Sequence, residues 1–169
     1  YDAASTLYSK PMCELRPDVA ETLDRLAERI VERAAQNRAD DGFALRIFDA
    51  GCGAGHLTKR IAALSTGKRK VEVIAVDLSP KTIEYCNRNK PANVKYECGD
   101  VGDYPHPSRL GEGVTFDVVV FHACLQHVFS PSRVLQAASR LLRGGGAVII
   151  AQAQGRKHAD QLRVKDPQL

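Results

Sequence analysis

The segment IFDAGCGAGHLTKRIAAL (47–64) constrains the fold more than any other part of the chain. A β-branched and aromatic run reaches Asp49, glycines follow at Gly51, Gly53 and Gly55, and a helical pattern opens at His56. A strand that turns into a helix through bare glycine peptide is the first half of a βαβ unit, and such a loop lets a ligand lie against the main chain. The unit requires a second parallel strand beside the first, with the helix packed over the sheet.

The rest of the chain supplies those partners. Short β-branched runs at 45–50, 71–77, 93–98, 115–121 and 146–152 predict five strands. Helical patterns at 56–64, 80–89 and 131–142 fall between them, which predicts right-handed crossovers and a mostly parallel, doubly wound α/β sheet. The runs VVVF and VII are apolar without alternation, as strands covered on both faces should be. Ahead of the first strand, Val19, Leu23, Leu26, Ile30, Val31 and Ala34 recur at helical spacing from Pro17 to about Asn37. Pro17 suits a first helical position, and Asp18 the positive end of the helix dipole. The segment 99–113, with four glycines and two prolines, predicts a loop where an open α/β sheet builds part of its crevice.

Composition narrows the class. With 169 residues, 44% hydrophobic and 26% charged, the chain can bury one core. It contains no apolar stretch near the roughly 18 residues a membrane helix needs, and the opening YDAASTLYSK has no apolar signal region. The expectation is a cytoplasmic protein with no membrane partner. The net charge of +4 is scattered, so GKRK (67–70) and the tail from Arg156 to Lys165 read as solvated surface rather than a nucleic-acid footprint. Cys13, Cys52, Cys86, Cys98 and Cys124 form no C-x-x-C pair, which argues against a disulfide framework and a zinc knuckle. They read as small buried apolar groups, and no metal site is expected.

Three carboxylates stand at successive strand ends. Asp49 precedes the glycines, where its charge would face the crevice, repel a pyrophosphate and suit an ammonium group. Asp77 ends the second strand, where a carboxylate can accept both hydroxyls of a ribose. Asp100 follows the third and could accept from an adenine amino group, with Leu78 and Val101 against the ring. The residue pattern describes a ligand with an amino group, a ribose and a base, and no phosphate.

In order, DAGCGAG, AVDLS, the pair Gly99–Asp100, FDVVVFHACLQHV and LLRGGGAVIIAQ resemble a class I S-adenosylmethionine-dependent methyltransferase of the small-molecule type, over roughly residues 44–153. The resemblance implies a Rossmann-like sheet ordered 3-2-1-4-5 with an N-terminal helix, the family's sixth and seventh strands being absent. It implies S-adenosyl-L-methionine as cofactor: Asp49, Gly51, Cys52, Gly53 and Gly55 around the methionine part, and Asp77 on the ribose. Leu78, Gly99, Asp100 and Val101 would meet the adenine, Phe121 and His122 would flank the methionine amino group, and Tyr8 would lie over the cofactor. Methyl transfer to a small-molecule acceptor, at oxygen, nitrogen or carbon, is the implied activity. His122 and His127 are the candidate catalytic bases, with Cys124 and His106 behind them.

Other readings stay open: a non-catalytic cofactor-binding module, a part of a larger enzyme, or an RNA or protein methyltransferase. Base amino-methylation is disfavoured because FHACLQH stands where that chemistry carries an N/D-P-P-Y/F motif. A nicotinamide-dependent oxidoreductase is disfavoured by His56 at the sixth fingerprint position and by the acid at Asp49. The chain divides into an N-terminal segment and helix (1–43), a cofactor-binding core (44–153) and a polar tail (154–169). Its start at Tyr1 and the lack of strand signals after Gln152 predict a portion of something larger, with a partner chain or further C-terminal region covering the edge of the last strand.

Overall fold

The computed structural model describes residues 15–36, 38, 42–103 and 113–152. Tyr8 and His106 lie outside the described residues, as does the polar tail. The elements run α1 (Pro17–Ala35), β1 (Leu45–Ala50), α2 (His56–Ala63), β2 (Val71–Asp77), α3 (Pro80–Arg88), β3 (Val94–Cys98), β4 (Phe116–His122), a 3-10 turn (Leu125–His127), α4 (Pro131–Leu141) and β5 (Leu142–Ala151). All five strands are parallel, in the order β3-β2-β1-β4-β5. That is the sheet the sequence predicts.

Local chemistry sets the helix starts. Pro17, Pro80 and Pro131 each open a helix, and the Ser79 side chain accepts a hydrogen bond from the Thr82 amide at 3.3 Å, capping α3. Side-chain alternation then divides the core. Leu45 and Ile47 of β1, with Val71, Val73 and Ala75 of β2, pack against α1, α2 and α3. Phe48, Ala50, Val76, Val119 and Phe121 face the other way, toward α4. Every residue from Phe116 to Phe121 is buried, which explains the unalternating VVVF run.

Two features differ from expectation. β5 begins at Leu142 rather than Gly146, because the run LRGGG stays beside β4: Phe116 pairs with Leu142, and the next pair is Val118 with Ala147. The three extra residues form a bulge, with Gly145 at φ +81°. Second, Asp117 is buried at the amino end of the sheet and holds that bulge. Its carboxylate accepts from Arg38 Nη1 at 2.6 Å, from the Arg46 amide at 2.7 Å and from Arg143 Nε. The paired donors offset the desolvation of this charge and tie the segment before β1 to β5.

Candidate functional site

The carboxyl ends of β1 to β4 are laced together by hydrogen bonds. The amides of Gly51 and Cys52 both donate to the Val76 carbonyl, at 2.8 and 2.9 Å, so the glycine loop folds back over β2. Asp77 then joins three elements. Its Oδ2 accepts from the Gly53 amide at 2.9 Å, its Oδ1 from the Ser79 amide at 3.0 Å, and its carbonyl from the Gly99 amide at 3.0 Å. Each carboxylate oxygen can accept more than one hydrogen bond, so Asp77 retains acceptor capacity after fixing both loops.

The three loop glycines do different work. A side chain at Gly51 would place Cβ 2.6 Å from Cys124 Cβ, and one at Gly55 would place it 2.6 Å from the Tyr96 hydroxyl. At Gly53 a Cβ would meet nothing within 4 Å, so this peptide borders open space. Leu78, next to Asp77, is 45% exposed.

Asp49 corrects one expectation. Its carboxylate is 1% exposed rather than open to the crevice, because it shares the face of Leu45 and Ile47 and points under α2. There it accepts a 2.5 Å hydrogen bond from Thr58 Oγ1. Burial pushes its carboxyl up to about 6; the Thr58 bond opposes the rise and the nearby Asp77 charge adds to it. Thr58 itself was not anticipated, although a hydroxyl on the apolar face that Leu57 and Ile61 define is a readable signal.

Asp100 is exposed and forms a turn, its Oδ1 accepting from the Gly102 amide at 2.7 Å, while Val101 packs partly buried against the α4 side of the core. Phe121 is a second correction: it is 2% exposed within the core, so its ring does not flank the crevice. The two candidate bases separate as well. His122 ends β4, half-buried, with its Nε2 lacking a hydrogen-bond partner among the described residues, and burial lowers its pKa. His127 ends the 3-10 turn on the exposed surface.

Between them Ala123 adopts φ +52°, a left-handed conformation rare for a residue with a Cβ. It is held by its amide donating to Ala151 at 2.9 Å and its carbonyl accepting from Gln126 at 2.9 Å. Cys124 donates to the Ala50 carbonyl at 3.0 Å, and burial pushes its thiol up to about 12, which removes it as a base. None of the four described cysteines is in a disulfide; Cys98 is exposed, against expectation, while Cys86 is buried as expected. Among the described residues, no cluster of three metal-ligating side chains occurs and no helix is long and apolar enough to cross a membrane.

An open parallel sheet whose strand ends carry a glycine loop and a carboxylate over the neighbouring strand defines an α/β domain of the nucleotide-cofactor-binding class. Residues 41–167 match the family described as a methyltransferase domain, and the chain belongs to it. The chain is 32% identical over 110 residues to a ubiquinone biosynthesis O-methyltransferase of Methylocella silvestris, covering 63% of this chain and 39% of that one. It is 27% identical over 141 residues to a malonyl-[acyl-carrier protein] O-methyltransferase of a Paenibacillus species, covering 80% and 48%. The chain thus spans less than half the length of these two relatives.

Solved structures share the fold. The plantazolicin methyltransferase BpumL, in complex with a monoazolic desmethylPZN analog and S-adenosylhomocysteine, superposes with a TM-score of 0.64 at 16% identity, over 80% of this chain and 49% of that one. The [4+2]-cyclase SpnF superposes with a TM-score of 0.55 at 22% identity, over 71% and 41%. At such identities the likeness establishes the fold alone, and SpnF shows that proteins with this fold are not all named for methyl transfer.

Proposed function

We propose that the chain binds S-adenosyl-L-methionine at the carboxyl ends of β1 to β3 and serves methyl transfer to a small-molecule acceptor. The observation that carries this reading is the open Gly53 peptide, anchored through its amide to the Asp77 carboxylate at the end of β2. The residues fit the group. The Asp77 carboxylate, with spare acceptor capacity, suits a ribose diol, and the exposed Leu78 suits the face of a base. Gly51, Cys52, Gly53 and Gly55 would border the methionine part, Asp77 the ribose, and Leu78, Gly99, Asp100 and Val101 the adenine. The names of the two curated relatives, both O-methyltransferases, favour oxygen as the accepting atom.

When bound, the cofactor supplies a methyl group on a good leaving group. The chain's task is therefore mainly to align the acceptor and exclude water. His122 can also take a proton. Burial keeps its imidazole neutral at pH 7, so it can accept the proton of an acceptor hydroxyl brought to the end of β4. His127, exposed beyond the 3-10 turn, is the second candidate. Titration calorimetry with S-adenosylhomocysteine tests the binding reading, and detection of released S-adenosylhomocysteine across pools of phenolic, carboxylic and amino acceptors tests transfer. Micromolar binding with release from at least one pool is expected; absence of binding by the folded chain overturns the proposal.

Stability should depend on pH. Because the folded value of Asp49, about 6, exceeds its ordinary 3.8, folding favours the neutral carboxyl, a stabilisation present below 3.8 and lost as pH rises through about 6. Asp49→Asn, which cannot ionise, should therefore flatten the fall in stability between about pH 4 and about pH 7. Urea unfolding across that interval reads the slope, and a variant with the wild-type slope would show that Asp49 is not its source.

A further inference from the structure

Two thiols from separate elements converge on the glycine loop. Cys52 lies within the loop and Cys86 comes from α3, thirty-four positions later, yet both Sγ atoms reach the same Gly53 carbonyl, at 3.7 and 3.4 Å. We propose that Cys52 and Cys86 form a redox-active dithiol that closes to an intramolecular disulfide and thereby disables the glycine loop for ligand binding. The inference rests on the cofactor reading for its consequence, but not for the chemistry of the bond.

The placement favours that chemistry. Cys52 is partly buried within the loop that borders the open space, whereas Cys86 is fully buried, so an oxidant meets Cys52 first. Proximity to Cys52 and the Lys59 ammonium lower the pKa of Cys86 against the opposing effect of burial, while proximity to Cys86, burial and the charges of Asp49 and Asp77 raise that of Cys52. With hydrogen peroxide as oxidant, the Cys52 sulfur attacks one peroxide oxygen while its thiol proton passes to the other; the O–O bond breaks, leaving a sulfenic acid on Cys52 and one water. The Cys86 thiol then attacks the Cys52 sulfur and gives its proton to the departing hydroxyl; the S–S bond forms, the S–O bond breaks, and a second water leaves. Two thiols and one peroxide give one disulfide and two waters.

The consequence for the loop follows from its bonds. Gly53 is held from one side by Asp77 through its amide and from the other by the two thiols through its carbonyl. Bringing the two sulfurs to about 2.05 Å from each other draws Cys52 toward α3, and oxidation removes both S–H donors from the Gly53 carbonyl. The Gly53 peptide then loses the position that borders the open space. A ligand seated there in turn covers Cys52 and slows its oxidation.

The reduced chain should be treated with hydrogen peroxide, digested without reduction and mapped by mass spectrometry. The expected product is a Cys52–Cys86 linked peptide, formed more slowly with S-adenosylhomocysteine present. Oxidised protein should bind S-adenosylhomocysteine about tenfold or more weaker, with recovery on dithiothreitol. Cys86→Ser, which keeps a donor toward the Gly53 carbonyl, should retain the reduced affinity and lose the peroxide sensitivity; Cys86→Ala should lose the sensitivity equally. A map with Cys52 and Cys86 unlinked, or linked to other cysteines, overturns the proposal, as does an oxidised protein of unchanged affinity. Should the chain fail to bind S-adenosylhomocysteine even when reduced, the peptide map still decides whether the dithiol closes, so the two readings fail separately.

Discussion

Asp77→Ala is expected to weaken S-adenosylhomocysteine binding by about 100-fold or more while leaving the chain folded. Hydrogen bonds to a charged acceptor contribute about 1.5–3 kcal/mol each. A ribose diol on Asp77 makes two of them, so about 3–6 kcal/mol is at stake, which corresponds to a loss of about 100-fold to 10⁴-fold. The substitution also frees the amides of Gly53 and Ser79, which Asp77 accepts at 2.9 and 3.0 Å, so the glycine loop and the start of α3 lose their common anchor. Both amides lie near the surface and can turn to water, so the stability cost stays near 1–2 kcal/mol. Asp77→Asn separates the two effects. Its amide oxygen can keep one backbone donor, but its NH₂ end cannot accept from the other amide or from a ribose hydroxyl. It should therefore lose less stability than Asp77→Ala and still bind at least tenfold weaker than the wild type. Urea unfolding beside calorimetry reads both quantities, and an Asp77→Ala affinity within threefold of the wild type would place the ribose elsewhere.

The sheet was readable because its punctuation is local. β1, β2 and β4 begin and end within one residue of their sequence expectations, with Gly51 closing β1 and Asp77 closing β2. β5 was misjudged at its start because three consecutive glycines signal a turn, whereas here Arg143 reaches Asp117 and holds the glycines beside β4 as a bulge. Nothing near Asp117 in sequence announces this, since its partners Arg38 and Arg46 stand seventy or more positions away. The orientation of Asp49 was within reach and was missed. Side chains alternate along a strand, and an aspartate two places after Ile47 and four after Leu45 belongs to the face those residues bury. The same parity puts Phe121 with Val119 in the core rather than in the crevice. Which thiols meet, by contrast, depends on how α3 packs against the loop, and spacing alone does not supply that.

Gly51→Ala and Gly53→Ala should fail in opposite ways, and the contrast tests what the glycine loop is for. Both residues have positive φ, +75° and +51°, so each substitution carries the cost of placing an L-residue in the left-handed region, about 1–2 kcal/mol. At Gly51 a second cost is added. The new methyl would stand 2.6 Å from Cys124 Cβ and 2.9 Å from its Sγ, and a Cβ is fixed to the backbone and cannot rotate away. Overpacking of this kind adds about 1–3 kcal/mol, so Gly51→Ala should lose about 2–5 kcal/mol of a typical total of about 5–15. At Gly53 the methyl meets no protein atom within 4 Å, so the fold should bear the substitution at the backbone cost alone. Yet that open space is where the methionine part would lie against the peptide, and filling it should reduce affinity for S-adenosylhomocysteine by about 10- to 100-fold. Urea midpoints rank the first pair of effects and calorimetry the second. Cys124→Gly in the Gly51→Ala background should recover about half of the lost stability by removing the opposing Cβ, whereas Cys124→Ala should recover little. If Gly53→Ala instead matched Gly51→Ala in stability and bound the ligand like the wild type, the Gly53 peptide would be a structural turn and the crevice would have to lie on another loop.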